Sequence, residues 1–113
     1  MANTITQLTN VPTGGIFSVS TSADGKWVSF YSDEDIVGQN PENDFEVFLV
    51  ELSSGDITQI TNTTAGGVGD LSLNANGERI AFESRGDHGG VIPDGNREIF
   101  VFDSLSDSFA QIT

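Results

Sequence analysis

The sequence contains no cysteine, which excludes disulfide stapling, thiol nucleophiles and thiolate metal sites. Positive charge is scarce as well. Lys26, Arg79, Arg85 and Arg97 are the only Lys or Arg residues, against 17 acidic ones, for a formal net charge of -13 over 113 residues. A surface this acidic repels phosphate backbones and anionic lipid, so neither nucleic acid nor a membrane surface is an expected partner. Cationic ligands, basic proteins and divalent metals stay open, beside the plainer reading that the charge keeps the protein soluble. No apolar run approaches the ~18 residues of a membrane-spanning helix. Met1-Ala2-Asn3 does not open a basic stretch followed by an apolar core. No signal peptide is therefore expected, although a mature or excised piece of a secreted protein would begin no differently. Long segments with helical spacing are missing too.

What the chain does have is 13 glycines and eight phenylalanines set among Val, Ile and Thr, a balance that suits short strands joined by tight turns. It also has an internal repeat. Ala23-Asp24-Gly25 returns as Ala75-Asn76-Gly77, an offset of 52 residues. Without gaps, the same offset takes Phe30 to Phe82, Ser32 to Ser84, Asp35 to Asp87, Gly38 to Gly90 and Pro41 to Pro93. It takes Glu46 to Glu98, Phe48 to Phe100, and Gln59-Ile60-Thr61 to Gln111-Ile112-Thr113. It also takes Ile5-Thr6-Gln7-Leu8-Thr9-Asn10 to Ile57-Thr58-Gln59-Ile60-Thr61-Asn62, and Gly14-Gly15 to Gly66-Gly67. The single domain 1–113 is thus two 52-residue units, 10–61 and 62–113, behind a leading segment 1–9 that copies the end of a unit.

Each unit reads as four strands. The first covers 16–22 and 68–74, and the second covers 26–32 and 78–84. Asp24-Gly25 and Asn76-Gly77 between them suggest two-residue type I′ hairpin turns. Loops rich in Asp, Asn, Gly and Pro follow at 33–44 and 85–96. The third strands are Phe45–Leu52 and Glu98–Asp103, and the fourth 56–61 and 108–113, after turns at Ser54-Gly55 and Ser106-Asp107. Phe45, Val47 and Leu49 share one face of the third strand, with Phe48 and Val50 on the other. The second unit sets Ile99 and Val101 against Phe100 and Phe102. A strand apolar on both faces has to be covered on both. Sheets stacked face to face around a ring achieve this, and a two-sheet sandwich does not, so the expected fold class is all-β, with two four-stranded antiparallel β-propeller blades.

The motifs point the same way. Ser22-Ala23-Asp24-Gly25 leads to Phe30-Tyr31-Ser32, then Glu46-Val47-Phe48-Leu49, then Thr58-Gln59-Ile60-Thr61. The second copy has Asn74-Ala75-Asn76-Gly77, Phe82-Glu83-Ser84, Glu98-Ile99-Phe100-Val101 and Ala110-Gln111-Ile112-Thr113. This pattern resembles the WD-repeat-like blades of TolB-type propellers over essentially the whole chain. The resemblance implies a periplasmic or secreted parent, and a family that includes interaction proteins and propellers attached to peptidases. Complete members carry about six to eight blades. Two blades imply either a piece of a longer propeller, natural or engineered, or a unit that assembles with copies of itself.

Blades contact only their neighbours, so two of them bury one shared face and leave two apolar faces open. Head-to-tail association with a closing rotation covers both. Three copies would make six blades, the expected homotrimer, and four would make eight. The leading segment is expected to serve as an outer closing strand over Ile5–Thr9, on its own copy or on a neighbouring one, in competition with 109–113 for one edge. The ring face or channel of such an assembly would remain open to a protein or cationic ligand.

Candidates for chemistry are thin, and no catalytic, cofactor-binding or metal-binding residue is assigned. Asp94-Gly95-Asn96-Arg97-Glu98 and Glu42-Asn43-Asp44-Phe45-Glu46 place oxygen ligands at alternate positions, with Asp33, Glu34, Asp35 and Asp87 near in sequence. Calcium accepts such oxygens, but Asp and Asn in loops more often shape turns, and the twelve-residue calcium pattern is incomplete. His88, the only histidine, lies near Ser84 and Asp87. A triad lacks its nucleophile elbow there, and a solvated loop histidine is the expectation. Gly66-Gly67-Val68-Gly69 opens a strand and matches Gly14-Gly15, which makes it a linker and not a phosphate cradle. Trp27 and Tyr31, matched by Arg79 and Glu83, suggest packing between blades ahead of a binding surface. Asn62-Thr63-Thr64 fits a glycosylation acceptor.

Overall fold

The computed structural model describes residues 5–11, 14–63, 67–86, 88 and 96–113. Asp87, Gly90, Pro93, Asp94, Gly95, Gly66 and Thr64, all singled out above, lie outside them. Eight strands form two separate sheets. The first consists of β1 (Ile16–Thr21), β2 (Trp27–Ser32), β3 (Glu46–Glu51) and β4 (Ile57–Gln59), and the second of β5 (Val68–Leu73), β6 (Arg79–Ser84), β7 (Glu98–Asp103) and β8 (Ser108–Gln111). Each sheet is antiparallel with neighbours in chain order. Registers repeat at the 52-residue offset: Phe30 lies opposite Phe48, and Phe82 opposite Phe100. The first strand of each sheet is interrupted at the matching place, after Phe17 and after Gly69. The chain is all-β, with two blade-like sheets.

The turns between first and second strands differ from the expected type I′. Gly25 has a positive φ of 73° and Gly77 of 77°, but Asp24 and Asn76 are not among the positive-φ residues, whereas type I′ needs both central residues there. Gly25 N–H donates to Ser22 O at 3.0 Å, which closes a type I turn over 22–25 with the glycine as the left-handed residue after it. Side chains select this wider loop. Trp27 N–H donates to Ser22 Oγ at 3.1 Å, Ser22 Oγ donates to Asp24 Oδ1 at 2.6 Å, and Lys26 N–H donates to the same Oδ1 at 3.0 Å. Asn74 and Asn76 accept from Arg79 N–H and Glu78 N–H in the second copy.

The two faces of β3 are covered differently. Val47 and Leu49 enter a cluster with Val68, Leu73, Ile80, Phe82, Phe100 and Phe102 of the second sheet, flanked by Trp27, Tyr31, Ile60, Leu71 and Phe109. On the opposite face Val28, Phe30, Phe48 and Val50 form a second cluster, against which Leu8, Ile16, Ile36 and Ile57 pack. Trp27 and Tyr31 therefore belong to the packing between sheets. Residues 5–11 carry no strand in the single chain, and β8 holds the outer edge of the second sheet.

Candidate functional site

The repeat makes the surface between the sheets a template. The face of the first sheet that carries Val47 and Leu49 rests on the second. Four hydrogen bonds frame it. Leu71 N–H and Leu73 N–H donate to Ser18 Oγ and Ser20 Oγ at 3.3 and 3.1 Å. Asp24 N–H donates to Ala75 O at 3.0 Å, and Val68 N–H to Phe45 O at 3.4 Å. Trp27 lies over the turn at Gly77, where a Cβ would collide with its ring. Such a contact accepts glycine alone.

The matching face of the second sheet is open. Ile99 stands where Val47 does and is 40% exposed, whereas Val47 is fully buried. Val101, in the place of buried Leu49, is half-buried. Asp70 and Ser72 occupy the places of Ser18 and Ser20, and Arg97 that of Phe45. Arg79 and Glu83 replace Trp27 and Tyr31. They pair across the face, Arg79 Nε with Asp103 Oδ2 at 3.4 Å and Arg97 Nη1 with Glu83 Oε1 at 2.5 Å. The open face thus keeps the central aliphatic pair and exchanges its aromatic margin for ion pairs.

The loop after β2 is shaped around Asn40, with Asp35 as the acid whose carboxylate takes part. Asn40, buried, donates from Nδ2 to Glu34 O at 3.2 Å and Asp44 O at 2.7 Å, and accepts from Asp44 N–H at 3.2 Å. Its own N–H donates to Asp35 Oδ1 at 2.8 Å, and Asn43 Nδ2 donates to Asp33 O at 3.0 Å. Glu46 is buried under Thr61 and Thr63: both hydroxyls and the Thr63 N–H donate to its carboxylate. Burial pushes its carboxyl above the usual glutamate range, and the Thr61 and Thr63 bonds pull it partway back. Among the described residues no three acidic or histidine groups gather as a metal site. Sequence reasoning listed Glu46 as a possible oxygen ligand and missed the two threonines that engage it. The joint recurrence of Glu46 with Thr61 and Glu98 with Thr113 was the available signal.

His88 corrects the expectation of a solvated loop residue. It is 3% exposed, edge-on to Phe82 and Phe100 and tilted against Phe109, with ring centroids 5.2, 4.8 and 5.5 Å away. By offset it stands where Ile36 packs in the first sheet, so it fills a core position. Ser84 Oγ lies 2.7 Å from His88 Nε2, but it also donates to Gly67 O and accepts from Gly86 N–H. Ser32 makes the corresponding bonds to Gly15 O and Glu34 N–H with no histidine at its matched position. The serine is a buried tie between strand end and linker, and that role needs no imidazole.

No protein-family model matches the sequence. The Tricorn protease of Thermoplasma volcanium is 28% identical over 102 residues, 90% of this chain and only 9% of that protein. Among solved structures, TolB from Acinetobacter baumannii superposes with a TM-score of 0.63 at 20% identity, over 86% of this chain and 21% of its own. A TolB-type protein from Agrobacterium tumefaciens gives 0.66 at 20% identity, over 94% of this chain and 32% of its own. The chain spans less than a third of the TolB chains and about a tenth of the protease. With its two repeat-related antiparallel sheets packed face to face, it has the fold of two blades of a TolB-type β-propeller.

Proposed function

We propose that this chain is a non-catalytic blade pair that associates head to tail with copies of itself into a closed propeller. One observation carries the reading: the open face of blade two keeps, at an offset of 52 residues, the strand register and central aliphatic pair of the face of blade one that the chain already buries. Ile99 and Val101 would then pack as Val47 and Leu49 do. Asp70 and Ser72 would accept from the inner strand of the next copy as Ser18 and Ser20 accept from β5. Asn76 N–H would donate to the next copy's Ala23 O as Asp24 N–H donates to Ala75 O. Three copies for six blades are the expected ring. Four copies would give eight.

A second reading rests on the likeness to the Tricorn protease: the pair is part of the propeller of a larger hydrolase, and further blades of one polypeptide cover the open face. Light scattering on the eluting chain separates the two. A mass of three chains, falling to one chain in a folded Ile99→Asp variant, is the expected result. A folded monomer at every concentration would favour the second reading.

A further inference from the structure

Leu8 and Ile60 are equivalent by the 52-residue offset, and the structure places them equivalently. Ile60 follows the outer strand β4 of blade one and packs on the cluster that holds the core of blade two; Leu8 packs on the core of blade one. Leu8 thus lies where the matching side chain in the tail of a preceding blade would lie. The third member of the series is Ile112, at the end of blade two. Its N–H donates to Ile99 O at 2.7 Å, Ile99 N–H donates to Thr113 Oγ1 at 2.9 Å, and Thr113 Oγ1 donates to Glu98 Oε2 at 2.5 Å. Ile60, Thr61 and Glu46 make the same set with Val47. The tail 108–113 is therefore held as the tail of blade one is held, with Ile112 aimed at the next blade but 61% exposed.

On the assembly reading above, a copy that seats its blade one on this open face brings Ile112 to the seat where that copy's own Leu8 already lies. Both cannot occupy it, and the structure indicates which yields. Displacing the tail would expel Phe109, which packs against Phe82, Phe102 and His88. Its counterpart in the leading segment, Ile5, is fully exposed. We infer that residues 5–11 are a self-cap: Leu8 covers the core of blade one in the free chain and is displaced by Ile112 of an incoming copy, so that assembly is held back until the cap lifts.

The test is the concentration dependence of mass for the full chain with Leu8→Asp, Leu8→Ala or Ile112→Asp, with thermal melts run in parallel. The alanine variant keeps the comparison readable if the aspartate variant unfolds. Weakening the cap should move assembly of a folded Leu8 variant to about tenfold lower concentration, since a buried leucine contributes on the order of one decade in an equilibrium or more. Ile112→Asp should move it to higher concentration. If the wild type assembles and the Leu8 variants assemble equally or less well, the cap is overturned and the ring stands. If wild type and all variants stay monomeric at every concentration, the ring reading fails and the cap with it.

Discussion

Glu46 shows how a buried group ties the blades together. Its carboxylate takes three donors from Thr61 and Thr63, the residues that lead from β4 toward the next blade. Because burial raises its pKa in the folded chain, the folded state holds a proton more tightly than the unfolded one. Its contribution to stability is therefore best at low pH and declines as pH rises from about 4 through the raised folded value. The Glu46→Gln variant lacks this titration. Its amide oxygen can still accept from Thr63 N–H, but the Thr61 hydroxyl loses its acceptor, a cost of about 1–3 kcal/mol where the group is buried. The difference in unfolding free energy between wild type and variant, measured in denaturant at pH 4 and pH 7, should therefore shift in the variant's favour at the higher pH. A difference independent of pH would contradict the raised carboxyl. His88 carries the matching lesson for reading sequence. Read beside its neighbours Ser84 and Asp87 it suggests solvent or catalysis, whereas read through the repeat it stands on Ile36 and belongs to the core, where the structure has it.

At the scale of elements, the repeat made the strands legible, because matched residues must perform matched tasks. Each expected third strand lies within a residue of β3 or β7 at either end, and Trp27 and Tyr31 pack between blades as their spacing suggested. Turn geometry was not legible, because Asp-Gly fits both a type I′ turn and a type I turn followed by a left-handed glycine. The choice depends on Ser22 Oγ reaching Trp27 N–H across the loop, a contact that dipeptide preference does not encode. The two turns also differ in surroundings. A Cβ on Gly77 would meet the Trp27 ring, whereas one on Gly25 meets nothing, and the φ values are 77° and 73°. Gly25→Ala then costs only the left-handed strain, about 1 kcal/mol. Gly77→Ala must also push Trp27 off the seam between blades, about 1–3 kcal/mol more. Denaturant unfolding of both variants measures the gap. Equal costs would mean that the indole gives way freely and does not hold the turn.

For the whole molecule, charge is the strongest influence opposing the proposed assembly. Each chain carries a formal net charge of -13, and a closed ring brings several such chains together. The candidate face itself is nearly balanced: Arg79 pairs with Asp103 and Arg97 with Glu83 within one chain, which leaves little cationic charge to attract an acidic neighbour. In the proposed ring, apolar contact must therefore drive association while the rest of the surface resists it. Screening lengths shorten from about 30 Å at ~0.01 M salt to about 8 Å at ~0.15 M, so added salt should relieve the repulsion and leave Ile99 and Val101 unaffected. The midpoint concentration for assembly should fall by about tenfold over that range, on the order of 1.4 kcal/mol of relieved repulsion. Light scattering across a salt series reads this directly. If salt instead loosened the assembly, Arg79 and Arg97 would be pairing across the seam with acids of the next copy, and the interface would be electrostatic where the repeat makes it aliphatic.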